Sequence, residues 1–144
     1  MAETASQSTT IAASLDHVWA IAADFEQYPV WAKDVKDVVV RSRDDQGRAT
    51  EVEFRTSALG RSTHYSLAYD YSSAPNELSW RLLKGDIMRS IDGSYRFAAA
   101  PGGGTQITYV LSIELIVPLP GFVKRRAENR ILHTLTELKE RCEA

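Results

Sequence analysis

Residues 122–142 read FVKRRAENRILHTLTELKERC and contain neither proline nor glycine. Apolar side chains recur every three or four residues in this stretch, which is the spacing of one face of an α-helix. They are Val123, Ala127, Ile131, Leu135, Leu138 and Cys142. The pattern predicts one uninterrupted terminal helix, about 30 Å long. Because such a helix crosses a whole small domain, the other elements have to pack around it.

Alternating apolar and polar residues dominate the chain before this helix. Such alternation is typical of an antiparallel sheet that buries one face and exposes the other. The predicted strands are residues 4–11, 35–43, 48–58 and 61–71, followed by segments around Trp80, Tyr95 and Tyr109. After the first strand, Ser14 is predicted to cap a helix that ends near Asp24, and Phe25 to Ala32 to form a second short helix with a bend at Pro29. This order predicts a single α+β domain over residues 1–144: seven antiparallel strands, two short helices after the first, and the terminal helix.

Charge and cysteine content limit the possible classes of protein. Lys and Arg number 17 and Asp and Glu 19, giving a net charge of −2, which does not suggest a nucleic-acid binder. The single Cys142 has no internal disulfide partner, which favours a reducing compartment. No secretory signal is recognised at the N-terminus, and no apolar run approaches the ~20 residues that span a bilayer. We therefore expect a cytoplasmic protein without stable membrane insertion, either monomeric or weakly dimeric.

Four segments resemble, in the same order and at similar spacing, segments of one known family. Residues 24–31, DFEQYPVW, look like a D-F-x-x-Y-P-x-W segment that follows the first helix. Residues 85–95, GDIMRSIDGSY, are similar to the segment before the penultimate strand. Residues 104–109, GTQITY, resemble a G-T-x-V-x-Y strand, and residues 118–126 the entry to the terminal helix. The family with these segments is the polyketide cyclase/dehydrase-like group of the START superfamily, also called Bet v 1-like or SRPBCC proteins.

The resemblance implies a helix-grip fold, in which a seven-stranded antiparallel sheet wraps around the C-terminal helix and leaves a cavity between them. Members of the family include aromatic polyketide cyclases, lipid and sterol carriers and quinone-binding chaperones, so the fold does not decide the function. We expect a domain that binds a small hydrophobic molecule: a lipid, a polyketide or an isoprenoid-like compound. The alternatives are a metal-free polyketide cyclase, aromatase or dehydratase, and a regulatory module that binds protein through the outer face of the sheet.

The strand alternation predicts which side chains would line such a cavity. Leu111 and six aromatic residues fall on the inward face of the sheet: Phe54, Tyr65, Tyr69, Trp80, Tyr95 and Tyr109. Core packing would explain each of them singly. Buried tyrosine hydroxyls need partners, however, and four of them on one concave face are easier to satisfy around a partly hydrated cavity. We expect a cavity of roughly 300–1,000 Å³.

Arg89 is the candidate catalytic residue. Counting back by twos from Phe97 through Tyr95, Gly93 and Ile91 places it on the inward face. There its guanidinium would bind a carbonyl, carboxylate or enolate oxygen of a ligand. The alternative is a position at the strand end that reaches solvent or Asp86. Gly93, on the same face, leaves room for a ligand or lets the sheet bend, and bending is the favoured interpretation.

The terminal helix begins with a cluster of cations, and Arg126 is its candidate cavity residue because it lies next to the apolar stripe. The cluster consists of Lys124, Arg125, Arg126 and Arg130. It is interpreted either as a solvated face or as a surface that attracts an anionic ligand head group or a membrane during delivery. No metal or other cofactor is expected, since His17, His64 and His133 lack the spacing of metal ligands and no cysteine pair exists.

Overall fold

The computed structural model describes residues 4–57, 62–116 and 120–144, apart from the side chain of Phe122. The predicted turn at Gly60, the adjoining strand ends at Ala58 and Arg61, and the predicted break at Pro118 lie outside these ranges. The strands are β1 Thr4–Ile11, β2 Val35–Arg43, β3 Ala49–Thr56, β4 Thr63–Asp70, β5 Glu77–Gly85, β6 Met88–Ala99 and β7 Thr105–Leu115. The helices are α1 Leu15–Ala22, α2 Tyr28–Trp31, α3 Gly121–Leu132 and α4 Thr134–Glu143, with short 3₁₀ turns at Phe25–Gln27 and Pro101–Gly103.

The seven strands form one antiparallel sheet in the order β1-β7-β6-β5-β4-β3-β2. Strands that follow one another from β2 to β7 are neighbours, while β1 pairs with β7 and so lies at the edge opposite β2. The apolar residues of the inward face join the helices in one core that includes Leu132, Leu135, Leu138 and Cys142. The predicted α+β class and helix-grip arrangement are confirmed.

The short helices after β1 begin and bend where the sequence predicts. The Ser14 hydroxyl accepts the backbone N–H of His17 at 3.3 Å and caps α1, which buries Val18 and Ala22. Pro29 lies in the first turn of α2. A backbone N–H at this position makes no hydrogen bond within the helix, so proline is tolerated there. The second predicted helix is therefore split into a 3₁₀ turn and α2.

The predicted long terminal helix is confirmed as α3 followed directly by α4, with His133 as a turn residue between them. His133 keeps helical dihedrals, and its carbonyl accepts from the N–H of Thr136 at 2.9 Å and from the N–H of Glu137 at 3.2 Å. The first bond is that of a tighter 3₁₀ turn and the second is that of an α-helix. Thr134 and Thr136 follow the junction, and β-branched side chains lower helix propensity. Leu135 and Leu138 are fully buried, as the apolar stripe predicts.

Three hydrogen bonds fix α4 to β1, to α1 and to the connection between them. The imidazole Nε2 of His17 lies 3.2 Å from the Cys142 carbonyl. The Lys139 ammonium donates to the Thr10 carbonyl at 2.8 Å, and the Ala12 N–H donates to the Glu143 carboxylate at 2.8 Å. These contacts hold the terminal helices across the inward face of the sheet.

Candidate functional site

A cavity of about 80 Å³ lies between the inward face of the sheet and the terminal helices. The seven aromatic and leucine residues predicted to line the cavity all border it: Phe54, Tyr65, Tyr69, Trp80, Tyr95, Tyr109 and Leu111. Its volume is well below the roughly 300–1,000 Å³ expected from the sequence, so that expectation of size is wrong for this structure.

The cavity is small because its aromatic side chains pack against one another. The ring centroids of Tyr95 and Tyr109 are 4.8 Å apart, and Trp80 lies 5.0 Å from Tyr95. Phe25, from the turn after α1, approaches Tyr69 to 4.3 Å. Such edge-to-face and tilted contacts are favourable in themselves, and they fill much of the space below the helices.

Gly93 is required by Trp80. The two residues are directly opposite each other on β6 and β5. A Cβ added to Gly93 would lie 2.5 Å from Cε2 of Trp80, inside van der Waals contact. The indole therefore occupies the place of a side chain at Gly93, and neither room for a ligand nor bending of the sheet is needed to explain the glycine.

The tyrosine hydroxyls around the cavity fall into two groups. The Tyr95 hydroxyl donates to that of Tyr28, which donates to the Ala22 carbonyl. The Tyr65 hydroxyl is hydrogen-bonded to Thr56. Within the described parts of the chain, no hydrogen bond is found to the hydroxyls of Tyr69 and Tyr109, whose rings both border the cavity. These two hydroxyls remain available to a bound molecule.

Burial keeps these phenols protonated. It raises the pKa of Tyr65 to about 12 and the pKa values of Tyr28, Tyr69, Tyr95 and Tyr109 well above the usual value. Electrostatic repulsion between neighbouring phenols adds to the effect of burial, because one phenolate would lie close to the next. At neutral pH the cavity therefore offers uncharged hydroxyl groups, which are hydrogen-bond donors and acceptors and not bases.

One end of the cavity reaches partly exposed residues of the α2–β2 connection and the terminal helices: Asp34, Val35, Ile131 and Thr134. Here the guanidinium of Arg130 donates two hydrogen bonds of 2.9 Å to the two carboxylate oxygens of Asp34. This hydrogen bonding lowers the pKa of the Asp34 carboxyl. The Lys33 N–H also donates to Glu137 at 3.0 Å, so the connection is held against both α3 and α4.

Arg89 does not reach the cavity, and its predicted inward position is wrong. Its side chain is 63% exposed and lies 3.5 Å from Glu114 on the outer face. The strand pairing shifts between Met88 and Ser90, so one extra residue is accommodated in β6. Such a bulge reverses the alternation beyond it. Met88, not Arg89, is therefore buried and borders the cavity.

Arg126 is exposed and does not border the cavity, so its predicted position is also wrong. The basic residue at this end is Arg130, one helical turn further on, and it contacts Asp34 and not the interior. Among the described side chains of the terminal helices, those of Ile131 and Thr134 border the cavity. The arginine side chains predicted for the cavity are thus both in solvent.

The histidines serve no common site. His17 binds the C-terminal turn of α4, His64 is exposed on β4, and His133 lies at the junction of α3 and α4. In residues 4–57, 62–116 and 120–144, no group of three or more His, Cys, Asp or Glu side chains is arranged to hold a metal ion. Over the same ranges, no helix is long and apolar enough to cross a membrane.

Sequence reasoning missed several cavity residues, although some carried a signal. Tyr28 belongs to the DFEQYPVW segment that supports the family resemblance. Its hydroxyl accepts from the Tyr95 hydroxyl and donates to the Ala22 carbonyl. No sequence signal marked Asp34 and Thr134, because they are polar residues outside any alternating strand pattern. The sequence signal at Met88 was misleading, because strand alternation without a bulge places this side chain on the outer face.

Three solved structures illustrate what this chain is similar to. A START superfamily protein from Mycobacterium smegmatis is 26% identical, with a TM-score of 0.89 and 97% of each chain covered. The Zhui aromatase/cyclase from a Streptomyces species is 16% identical, with a TM-score of 0.84 over 99% of this chain and 94% of the other. A major latex-like protein from Panax ginseng is 11% identical, with a TM-score of 0.75 and 99% of each chain covered. The last two show a common fold alone.

No curated protein matches the chain. The family model described as polyketide cyclase/dehydrase and lipid transport matches residues 2–143, which is nearly the whole sequence. The match agrees with the helix-grip fold and with the four resembling segments. The chain belongs to the polyketide cyclase/dehydrase and lipid transport family.

Proposed function

We propose that this protein binds a small hydrophobic molecule in the cavity between the sheet and the terminal helices. The observation that carries the proposal is the aromatic-lined cavity itself, whose walls are formed by Phe54, Trp80, Leu111 and the surrounding tyrosines. Apolar cavities with a few convergent polar groups are the usual form of a small-molecule site. Membership of a family that includes lipid transport in its description supports the proposal.

Binding requires the cavity to enlarge. An engineered cavity of about 150 Å³ in another protein is large enough for benzene, whereas this one measures about 80 Å³. Met88 on its wall is a flexible, unbranched side chain that adapts to irregular space. At the exposed end, the Asp34–Arg130 ion pair is more than half in solvent on its arginine side, so separating it costs little. Entry between the α2–β2 connection and the terminal helices is therefore the natural route.

The enzymatic alternatives have weaker support. A cyclase, aromatase or dehydratase acting on a poly-ketone needs a group that stabilises a developing enolate. Arg89 was the candidate for this role, and it lies on the outer face. No lysine, arginine or histidine is among the described residues that border the cavity. No observation favours a protein-binding module.

Calorimetric titration with p-xylene, a compact apolar molecule, tests the proposal. Leu111→Phe inserts a ring into the cavity and should weaken binding at least about tenfold, or ~1.4 kcal/mol. Val110→Phe is the matched control, because the neighbouring residue on β7 points to the opposite face. Wild type and Val110→Phe should bind alike. If wild type binds neither p-xylene nor p-cresol, the proposed function is wrong.

We also propose that the protein works in the cytoplasm as a monomer or weak homodimer and does not bind nucleic acid. The net charge of −2 and the single cysteine support this proposal. Light scattering after size-exclusion chromatography should give a monomer mass at low micromolar concentration. A dimer that persists on dilution would contradict it.

A further inference from the structure

Two tyrosine hydroxyls at the cavity have no hydrogen-bond partner within the described residues. Tyr69 and Tyr109 lie on either side of Trp80, each with its ring centroid 5.7 Å from the indole. Neither hydroxyl is among the fully buried side-chain atoms that lack a partner, so both are open to the cavity. A ligand without a polar atom would cover them and leave them unpaired, which is unfavourable. The other phenols differ, because Tyr28 and Tyr95 bind each other and Tyr65 binds Thr56. A ligand oxygen that reaches either hydroxyl would give it a hydrogen-bond partner.

The same cavity has nothing to neutralise an anion. Apart from the tyrosines, Asp34 is the one ionisable side chain among the described residues that border it. Asp34 is negative, and the cation beside it, Arg130, is already bound to it through two hydrogen bonds. A buried charge without a counter-charge is strongly unfavourable. A carboxylate placed between these tyrosines would lose its hydration and gain no cation.

We infer that the site selects uncharged aromatic molecules that carry a hydroxyl or carbonyl oxygen, hydrogen-bonded to Tyr69 or Tyr109, over plain hydrocarbons and carboxylates of the same shape. This inference rests on the proposed binding function and specifies its ligand class. The aromatic preference follows from the walls, since Trp80 and Tyr95 already meet edge to face and offer the same packing to a third ring. Fatty acids and other anionic lipids fall outside the class.

Three single-ring probes of similar shape test the selection: p-xylene, p-cresol and p-toluate, which differ in one substituent. Their dissociation constants are measured by calorimetry for wild type, for the double variant Tyr69→Phe with Tyr109→Phe, and for Tyr71→Phe. The Tyr71 hydroxyl donates a hydrogen bond of 2.6 Å to the Ala49 carbonyl, and Tyr71 does not border the cavity. This control therefore removes a tyrosine hydroxyl without changing the site. Binding of p-xylene by the double variant verifies that its cavity is intact.

Wild type should bind p-cresol at least as tightly as p-xylene, and p-toluate at least about tenfold more weakly than p-cresol. In the double variant the preference for p-cresol over p-xylene should fall about five- to tenfold, while Tyr71→Phe should keep it. If p-xylene binds wild type and the preference is unchanged by the double variant, the role of Tyr69 and Tyr109 is refuted and the cavity function stands. Tight binding of p-toluate would refute the exclusion of anions. Failure of both neutral probes to bind wild type would overturn the binding function and this inference together.

Discussion

The contact between Gly93 and Trp80 makes the sharpest stability prediction, for the substitution Gly93→Ala. Replacing glycine by alanine usually stabilises a protein by about 0.4–1 kcal/mol, because it reduces the freedom of the unfolded chain. At Gly93 the added Cβ would lie 2.5 Å from Cε2 and 2.6 Å from Nε1 of the indole, so the whole ring has to move. Overpacking of a core costs about 1–3 kcal/mol. The clash should therefore outweigh the gain, for a net loss of about 0.5–2 kcal/mol.

Urea denaturation followed by far-UV circular dichroism measures this loss without depending on the fluorescence of the displaced tryptophan. Gly121→Ala is the matched control, because its Cβ would meet nothing closer than Nη1 of Arg125 at 3.6 Å. That variant should be neutral or slightly more stable than wild type. In a Trp80→Leu background, Gly93→Ala should no longer destabilise. An equal loss with and without the indole would refute the claim that the glycine exists to accommodate Trp80.

Three further predictions concern the terminal helix, the tyrosines and Arg89. Leu135 is fully buried, so Leu135→Ala should lower the free energy of unfolding by ~2–5 kcal/mol. Arg125 is exposed, so Arg125→Ala should change the free energy of unfolding by under ~0.5 kcal/mol. If urea denaturation ranked the two variants the other way round, the helix would face the sheet with its opposite side. Burial raises the pKa of all six tyrosines, to about 12 for Tyr65. Absorbance at about 295 nm should therefore show no phenol ionising near pH 10 in the folded protein, whereas the phenols should ionise there once urea unfolds it. Because a raised folded pKa stabilises the protein below the unfolded value, that stabilisation should be complete below about pH 10 and decline above it; early ionisation of several phenols in the folded protein would contradict the buried cluster. Arg89→Met should leave the dissociation constants of p-xylene and p-cresol within about twofold of wild type, because the guanidinium pairs with Glu114 outside the cavity. A larger change would mean that Arg89 contributes to the binding site.

Much of the fold follows from local patterns in the sequence. The period of two in the strands, the Ser14 cap and the helical stripe ending at Cys142 depend on neighbours in the chain, and the structure has each of them. The inward aromatic set was predictable for the same reason, because alternation within a strand decides which face a side chain takes. These features predicted the architecture and seven of the residues that border the cavity.

Only the tertiary structure decided which residues complete the cavity, what they contact and how large the cavity is. The bulge at Met88 depends on pairing between β6 and β7, so counting along one strand placed Arg89 inside and Met88 outside. The role of Gly93 depends on the ring of Trp80 across the sheet, and the ion pair of Arg130 depends on Asp34, 96 positions away in sequence. The size of the cavity depends on how closely the aromatic rings pack, which no single residue determines. Local periodicity fixes the direction of a side chain, whereas its partner and the space left beside it are properties of contacts between distant segments.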